Sequence, residues 1–227
     1  MVGVVGRRRE TASAVRLDLD VPTWPGNPAG SHLDVRLTAP DGYQAVRSYS
    51  VASPGETTRV ILAIDELPAG EVSPYLVHQL AEGDELEVHG PLGRYFVWIP
   101  SEPDRSPVQL IAGGSGVVPL FAMAAAREHE ADHADFRLLY SVRTPEDVFF
   151  AEELSALSKT TVDVVNDTDI NGLAAAVSQV LTGGGFTAGA VGNHDGERVA
   201  VVGTSGAGKS TLIKALTGVY HADRGTI

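Results

Sequence analysis

Cysteine is absent from this sequence of 227 residues. The absence excludes disulfide bonds, thiol catalysis and an iron–sulfur cluster held by cysteines of this chain. Aromatic residues make up only 6% of the chain, but hydrophobic residues make up 43% and charged residues 20%, which is typical of a globular fold. The sequence also lacks a signal peptide and any apolar run of transmembrane length, so we expect a cytoplasmic protein with no membrane span.

Basic residues are few as well. The chain has 17 Lys and Arg residues against 29 Asp and Glu residues, which gives a formal net charge of −12. This balance argues against general nucleic-acid binding. The one basic cluster, Arg7-Arg8-Arg9, is predicted to lie on a solvated strand edge, and docking of an acidic partner is the less favoured alternative.

The N-terminal part of the sequence predicts short strands. Residues 13–21 alternate between apolar and polar side chains, as a half-buried antiparallel strand does. Further strands are predicted at about 32–39, 45–52, 59–64 and 85–89. Strands of this length and spacing predict a small barrel or sandwich, and we assign residues 1–103 to an antiparallel β-barrel domain.

The period changes after residues 101–107, which are rich in Pro, Ser, Asp and Glu and predict a domain boundary. Strands are predicted at Val108–Ala112, Phe136–Val142 and Thr161–Val165. Helices are predicted up to about Glu128, after Thr144 as N-cap with Asp147 as its capping-box partner, and over residues 173–181. Alternating strands and helices predict a parallel sheet, so residues 104–227 form an α/β domain.

Arg47-Ser48-Tyr49-Ser50 suits a phosphorylated, planar ligand. Arg47 can bind two oxygens of a pyrophosphate, and Tyr49, two residues further on the same strand face, can lay its ring against a heterocycle. Ser50 offers a donor and an acceptor to the ligand edge. The alternative is an exposed strand face without function.

Two further segments predict phosphate binding. In Gly70–Leu76, Ser73 is the expected N-cap of a helix with Pro74 at its first position, and free amides at such a start favour a phosphate. The alternative is simply a capped short helix. Gly113–Pro119 joins a strand to a helix, as a nucleotide-binding loop does, although Pro119 stands where G-x-G-x-x-G has its third glycine.

A third segment, Gly203–Ser210, matches the P-loop pattern G-x-x-x-x-G-K-[ST] at every fixed position. Its amides can surround phosphates, Lys209 can reach the terminal ones, and Ser210 can ligate Mg²⁺. The candidate nucleotide-binding residues of this segment are Gly203, Gly206, Gly208, Lys209, Ser210 and Thr211.

Five motifs stand in one order along the chain. They are Arg47-Ser48-Tyr49-Ser50, Gly70-Glu71-Val72-Ser73, Gly90-Pro91-Leu92-Gly93, Gly113-Gly114-Ser115-Gly116-Val117-Val118-Pro119 and Tyr140-Ser141-Val142-Arg143. This order over about residues 10–165 resembles the ferredoxin–NADP reductase family, particularly its bacterial FAD-binding oxidoreductase members.

The resemblance implies a role for each motif. Positions like Arg47, Tyr49 and Ser50 bind the FAD pyrophosphate, the isoalloxazine ring and the reactive flavin edge, so Tyr49 and Ser50 are the candidate catalytic residues. The resemblance also implies cofactor contacts for two further groups. Gly70, Val72 and Ser73 would hold the pyrophosphate, whereas Gly113, Gly114, Gly116, Pro119, Ser141 and Arg143 would bind the pyridine nucleotide.

The implied reaction is hydride transfer from NAD(P)H to FAD, followed by transfer of electrons to a separate acceptor such as a small redox protein. NADPH is favoured over NADH because Arg143 is placed for a 2′-phosphate and no acidic residue is evident for a ribose hydroxyl pair.

The resemblance ends before the last segment. Residues from about 197 onward resemble an ABC-transporter ATPase, with a ribosome-associated P-loop GTPase as a close alternative, and the elements that complete either would lie beyond Ile227. Two classes of function therefore remain, an FAD-dependent oxidoreductase and an ATP- or GTP-binding module.

Overall fold

The computed structural model describes residues 1–53, 55, 57–100, 107–130, 135–166 and 198–203. Residues 1–100 form a six-stranded antiparallel sheet with one short helix. Its elements are β1 (Val2–Arg9), β2 (Ala14–Asp20), β3 (His32–Thr38), β4 (Gln44–Ser50), β5 (Arg59–Asp65), α1 (Ser73–His78) and β6 (Glu85–Leu92).

The strands run in the order β4-β3-β6-β1-β2-β5. The two ends of this sheet meet where Val51, just after β4, bridges Leu62 on β5, and the amide of Ala52 donates to the carbonyl of Ile61. This contact closes the sheet into the predicted barrel, because β4 and β5 then leave no fully open edge at that end. Alternating side chains fill the interior, among them Leu17, Leu19, Leu33 and Leu62.

Strand β1 was not predicted over its full length. The pairing register of β1 with β2 shifts between Val4 and Gly6, so a bulge interrupts the alternation that sequence reading depends on. Only Val2 and Gly3 pair with β6, and the half of β1 that carries Arg7-Arg8-Arg9 pairs with β2.

The second domain is a parallel sheet with helices. Its elements are β7 (Val108–Gly113), a 3₁₀ turn (Gly114–Gly116), α2 (Val117–Glu128), β8 (Phe136–Val142), a 3₁₀ turn (Pro145–Asp147), α3 (Ala151–Ala156), β9 (Thr160–Asn166) and β10 (Arg198–Gly203). The order is β10-β7-β8-β9, and all three pairings are parallel. The helix predicted at 173–181 lies outside the described residues, as do residues 101–106 of the predicted boundary.

The helix predicted to start at Thr144 is wrong. Thr144 makes no side-chain cap, and Pro145–Asp147 is a single 3₁₀ turn. The α-helix begins only at Ala151, after Phe150 in a left-handed conformation with φ of 55°. Asp147 lies near Arg143 instead of reaching back to a cap, with 3.7 Å between Oδ2 and Nε.

The two domains share one apolar cluster. Ala14, Ala29, Ala52 and Ala63 of the barrel are buried in the same cluster as the inner faces of β7, α2 and β8. Trp98 packs its ring edge-on against Phe136, with 5.0 Å between the centroids. The domains therefore share an apolar interface, which favours a fixed relative position of the domains. No helix within the described part of the chain is long and apolar enough to cross a membrane.

Candidate functional site

Arg47 lies on β4 opposite Val35 of β3 and is 52% exposed. Its Nη1 donates to the carbonyl of Val46 at 2.7 Å, and its Nη2 lies 3.0 Å from Oε2 of Glu71. The ion pair brings together two predicted motifs that are 24 residues apart in the chain. A guanidinium has five N–H donors, and within the described residues these bonds engage only part of them, so a pyrophosphate fits at this position.

Tyr49 shares the strand face of Arg47, as the period of two predicts, and its ring is half-buried against the barrel core. Burial raises the pKa of the Tyr49 phenol to about 12, although the positive charge of Arg47 lowers it in part. The phenol therefore stays neutral at physiological pH. Tyr49 can act as a flat, uncharged platform for a ring.

Ser50 is the last residue of β4 and is partly buried, in register with His32 of β3. Ser48, on the same face, is exposed and donates its hydroxyl hydrogen to Oδ1 of Asp34 at 2.5 Å. Of the two serines, Ser48 is thus engaged in a local hydrogen bond, and Ser50 lies nearer to the second domain.

The segment Gly70–Ser73 differs from its prediction in one respect. Val72, not Ser73, is the N-cap of α1, and it makes no side-chain cap. The hydroxyl oxygen of Ser73 instead accepts a hydrogen bond from the amide of Leu67 at 2.9 Å. A side chain at Gly70 would place its Cβ 2.9 Å from the carbonyl oxygen of Leu67, so the tight turn there requires glycine.

Gly113–Pro119 forms the predicted loop between β7 and α2. Gly114 has φ of 52°, a left-handed conformation that favours glycine. Among the residues that the structure describes, a Cβ added at Gly113 or Gly114 would meet nothing within 4 Å, which leaves room for a ligand next to these two glycines. Gly116 is the N-cap of α2 and Pro119 lies in its first turn, where a missing amide hydrogen costs nothing.

The carboxyl ends of three strands bring the remaining candidates into a row. Gly113 pairs in register with Gly203 of β10 on one side and with Ser141 of β8 on the other. Chain order reverses between β7 and β10, and ligands of open parallel sheets bind at such a point. Ser141 is buried, whereas the side chain of Arg143 is 81% exposed.

The rest of the P-loop lies outside the described residues. This holds for Gly206, Gly208, Lys209, Ser210 and Thr211, and for the proposed Mg²⁺ contact of Ser210. Within the described part of the chain, no group of three or more His, Asp or Glu side chains is arranged to hold a metal ion.

The flavin motif and the glycine loop meet at the domain interface. Ala52, two residues after Ser50, is buried in the same cluster as Ala112 and Val117, which flank the glycine loop. Strand β5 lies against the turn Gly114–Gly116. The end of β4 and the glycine loop therefore lie at one apolar interface. Hydride transfer between two cofactors requires that their sites be close together.

Sequence reading missed two residues of the site, Glu71 and Tyr43. Glu71 accepts a hydrogen bond from the Tyr43 hydroxyl at 3.1 Å through Oε1, while Oε2 faces Arg47. Both residues also line a groove of about 650 Å³. The position of Glu71 inside the Gly70–Ser73 motif could have marked it as a site residue. Its partners, Tyr43 and Arg47, are 28 and 24 residues away, so no local pattern indicates these contacts.

Three protein-family models match parts of the chain. Residues 8–97 match the oxidoreductase FAD-binding domain, and residues 110–179 match the oxidoreductase NAD-binding domain. Together these matches cover more than half of the chain. Residues 191–227 match the ABC transporter family, as the P-loop motif predicts.

The chain is 36% identical over 115 residues to the glycine betaine monooxygenase reductase subunit of Chromohalobacter salexigens, covering 50% of this chain and 30% of the relative. It is 35% identical over 132 residues to ferredoxin–NADP reductase B of Sorangium cellulosum, covering 58% of this chain and 52% of the relative. The chain thus spans about a third to a half of the length of these relatives.

Among solved structures, phthalate dioxygenase reductase superposes with a TM-score of 0.73 at 21% identity, covering 97% of this chain and 64% of that one. This likeness shows a shared two-domain fold. The matches to both domains, in the order and at the positions that the motifs predict, show that the chain belongs to the ferredoxin–NADP reductase-type family of FAD-binding oxidoreductases.

Proposed function

We propose that the chain is an NAD(P)H-dependent flavin reductase that passes electrons to a separate acceptor. The observation that carries the proposal is the apolar cluster that the end of strand β4 shares with the residues flanking the glycine loop. The strand that carries Arg47, Tyr49 and Ser50 leads directly into the apolar interface that flanks Gly113–Gly116. Bound FAD would supply a two-electron acceptor that can release electrons singly or in pairs.

The residues of the barrel bind and orient in this proposal. Arg47 and the amides near Gly70, Val72 and Ser73 hold the pyrophosphate, and the neutral ring of Tyr49 supports the flavin. Ser50 lies at the reactive edge, where its hydroxyl can donate a hydrogen bond that stabilises charge developing during transfer. The apolar interface excludes water from this edge, which prevents loss of the hydride to side reactions.

The second domain binds the pyridine nucleotide. The open space above Gly113 and Gly114 admits the phosphates, and Ser141 and Arg143 lie beside them for the adenosine side. We place the boundary between the two functional domains at residues 103 and 104, and we propose the cytoplasm as the site of action.

The 227 residues include no cysteine that could hold an iron–sulfur cluster. In this proposal the acceptor is a separate molecule, as the names of two relatives suggest. One relative is named as the reductase subunit of a monooxygenase and another as a ferredoxin reductase. A small redox protein is therefore the class of partner we propose.

The test uses the purified chain with FAD. Bound FAD should give a shifted flavin absorption spectrum, and addition of NADPH without oxygen should bleach it. Ferricyanide should then support steady oxidation of NADPH. Failure to bind FAD, or FAD that NADPH and NADH leave oxidised, would contradict the proposal.

A second function, binding of ATP or GTP with Mg²⁺, is favoured by the complete P-loop motif and by the match of residues 191–227 to ABC transporters. Colourless protein that binds ATP only with Mg²⁺ would support this function over the first.

A further inference from the structure

Glu71 places a carboxylate beside the residue that we propose binds the FAD pyrophosphate. Its Oε2 lies 3.0 Å from Nη2 of Arg47, and its Oε1 lies 3.1 Å from the hydroxyl oxygen of Tyr43. Both side chains of the ion pair are 52% exposed. The carboxylate of Glu71 also acts on its other neighbour: the hydrogen bond to Glu71 and its negative charge raise the pKa of the Tyr43 phenol.

A carboxylate and a phosphate accept the same guanidinium donors. Both are anions with geometry that matches the planar fork of arginine, so they compete when only one such side chain is within reach. The phosphates of FAD would also be repelled by a carboxylate at this distance from Arg47.

Glu71 is not needed to shape the site. The main chain at Gly70 is fixed by its close approach to Leu67, and Ser73 is fixed by its hydrogen bond to the Leu67 amide. Arg47 is also held by the carbonyl of Val46. An exposed ion pair of this kind is worth little, so a pyrophosphate can displace it. The groove of about 650 Å³ beside Glu71 and Tyr43 gives the displaced carboxylate access to water.

We propose that Glu71 competes with the FAD pyrophosphate for the guanidinium of Arg47 and so sets the affinity of the flavin site. The inference rests on the proposed function. Glu71 thus makes FAD binding weaker than the other residues of the site would allow, and FAD is more readily exchanged.

The test is the dissociation constant for FAD of the full chain, measured by quenching of flavin fluorescence. Glu71→Gln keeps the size of the side chain and one acceptor oxygen, but it removes the charge and replaces the other acceptor with an NH₂ donor. FAD should bind roughly two- to fivefold more tightly to this variant, as expected when an exposed ion pair no longer competes. Without Arg47, Glu71 has no guanidinium to compete for. The gain in FAD affinity caused by Glu71→Gln should therefore be smaller when it is introduced into Arg47→Ala than when it is introduced into the unaltered chain.

Riboflavin separates competition from a general change of the site, because it has the flavin ring but no phosphate. Its dissociation constant should be the same for the unaltered chain and Glu71→Gln. Glu87→Gln is the matched control, because Glu87 pairs with Arg36 and not with Arg47, and it should leave FAD affinity unchanged.

Three results would overturn the inference. FAD affinity that falls in Glu71→Gln would mean that Glu71 orients Arg47 for the ligand. Equal tightening of FAD and riboflavin would mean that the substitution reshapes the site. Lack of FAD binding by the unaltered chain would overturn the proposed function as well, whereas the first two results leave that function standing.

Discussion

The carboxylate of Glu153 on α3 bridges the two domains, with Oε1 2.5 Å from Nη1 of Arg16 on β2. The same oxygen lies 2.6 Å from Nη2 of Arg8 on β1. Arg16 also lies over the ring of Phe150, at 5.8 Å from its centroid, and the amide of Phe150 donates to Glu10. One corner of the barrel therefore holds the start of α3 through both charge and ring contacts.

We predict that Glu153→Gln weakens this attachment. The free energy of unfolding in urea should fall by about 0.5–1 kcal/mol, a small value because the carboxylate is one-third exposed and screened by water. Glu152→Gln, an exposed neighbour in the same first turn of α3, should change the stability less. If the two substitutions lower the stability equally, the effect comes from a negative charge in the first turn of α3, and the ion pairs of Glu153 with the barrel contribute nothing.

The contribution of Glu153 should depend on pH. Burial alone would raise the pKa of its carboxyl, but hydrogen bonds from its own amide, Arg16 and Arg8 outweigh burial and hold the pKa below its ordinary value of 4.5. Its stabilisation is therefore complete above pH 4.5 and is lost as the pH falls through the lower, folded-state value. Urea unfolding at a series of pH values should show the difference between wild type and Glu153→Gln disappearing on the acid side; a constant difference would contradict it.

For Arg47 we predict a loss of flavin affinity. Arg47→Ala removes charge-assisted hydrogen bonds worth about 1.5–3 kcal/mol, so the dissociation constant for FAD should rise roughly 10–100-fold. Arg9→Ala removes an exposed arginine on β1 and should leave FAD binding unchanged. Unaltered FAD binding by Arg47→Ala would show that the flavin pyrophosphate lies elsewhere.

The repeating patterns of the fold were predictable from sequence. Strand β8 has the predicted bounds because its apolar run is continuous and its neighbours on both sides are clear turns. For strand β1, only the end at Arg7–Arg9 was predicted, because a bulge breaks the alternation of the residues before it. The two predicted helix caps failed for different reasons. The hydroxyl of Ser73 accepts a hydrogen bond from the Leu67 amide instead of capping α1. After Thr144, the chain forms only a 3₁₀ turn, and the α-helix starts after the left-handed Phe150.

In the candidate site, too, features that depend on local sequence were predictable, and contacts between distant residues were not. The face shared by Arg47 and Tyr49 follows from a period of two, and the glycine loop follows from its own residues. The partner of Arg47 does not follow from a local pattern, since Glu71 lies 24 residues further along the chain. Glu153 likewise meets Arg16 over 137 residues of sequence, a contact that no local pattern contains.

Ser50 should affect the rate at which NADPH reduces bound FAD, but not the affinity for FAD. Loss of one neutral hydrogen bond at the reacting edge costs about 0.5–1.5 kcal/mol, so Ser50→Ala should slow reduction of bound FAD by NADPH roughly two- to tenfold. Stopped-flow absorbance measures this rate, and the dissociation constant for FAD should stay nearly constant. Ser48→Ala is the control, because that hydroxyl is bound to Asp34. If both variants react at the wild-type rate, Ser50 has no part in transfer.

The choice between NADPH and NADH should depend on Arg143. Its exposed guanidinium can bind a 2′-phosphate, so Arg143→Ala should lower kcat/KM for NADPH by about tenfold and for NADH much less. Asp147 lies 3.7 Å from Arg143 and competes for the same charge, so Asp147→Asn should strengthen the NADPH preference. A preference for NADH that persists in Arg143→Ala would contradict the assignment of NADPH.

Gly203 pairs with Gly113, so the P-loop begins directly beside the loop proposed for the pyridine nucleotide. We predict that the P-loop binds ATP weakly, that it does not hydrolyse ATP, and that bound ATP raises the apparent KM for NADPH. Hydrolysis needs a second carboxylate for Mg²⁺ and a group that orients water, and residues 211–227 contain a single carboxylate, Asp223. Phosphate release should stay at background in wild type and in Lys209→Ala, while the competition by ATP should weaken in Lys209→Ala. Sustained ATP turnover that Lys209→Ala abolishes would instead place an ATPase at this edge of the sheet, because only a catalytic P-loop lysine produces that loss.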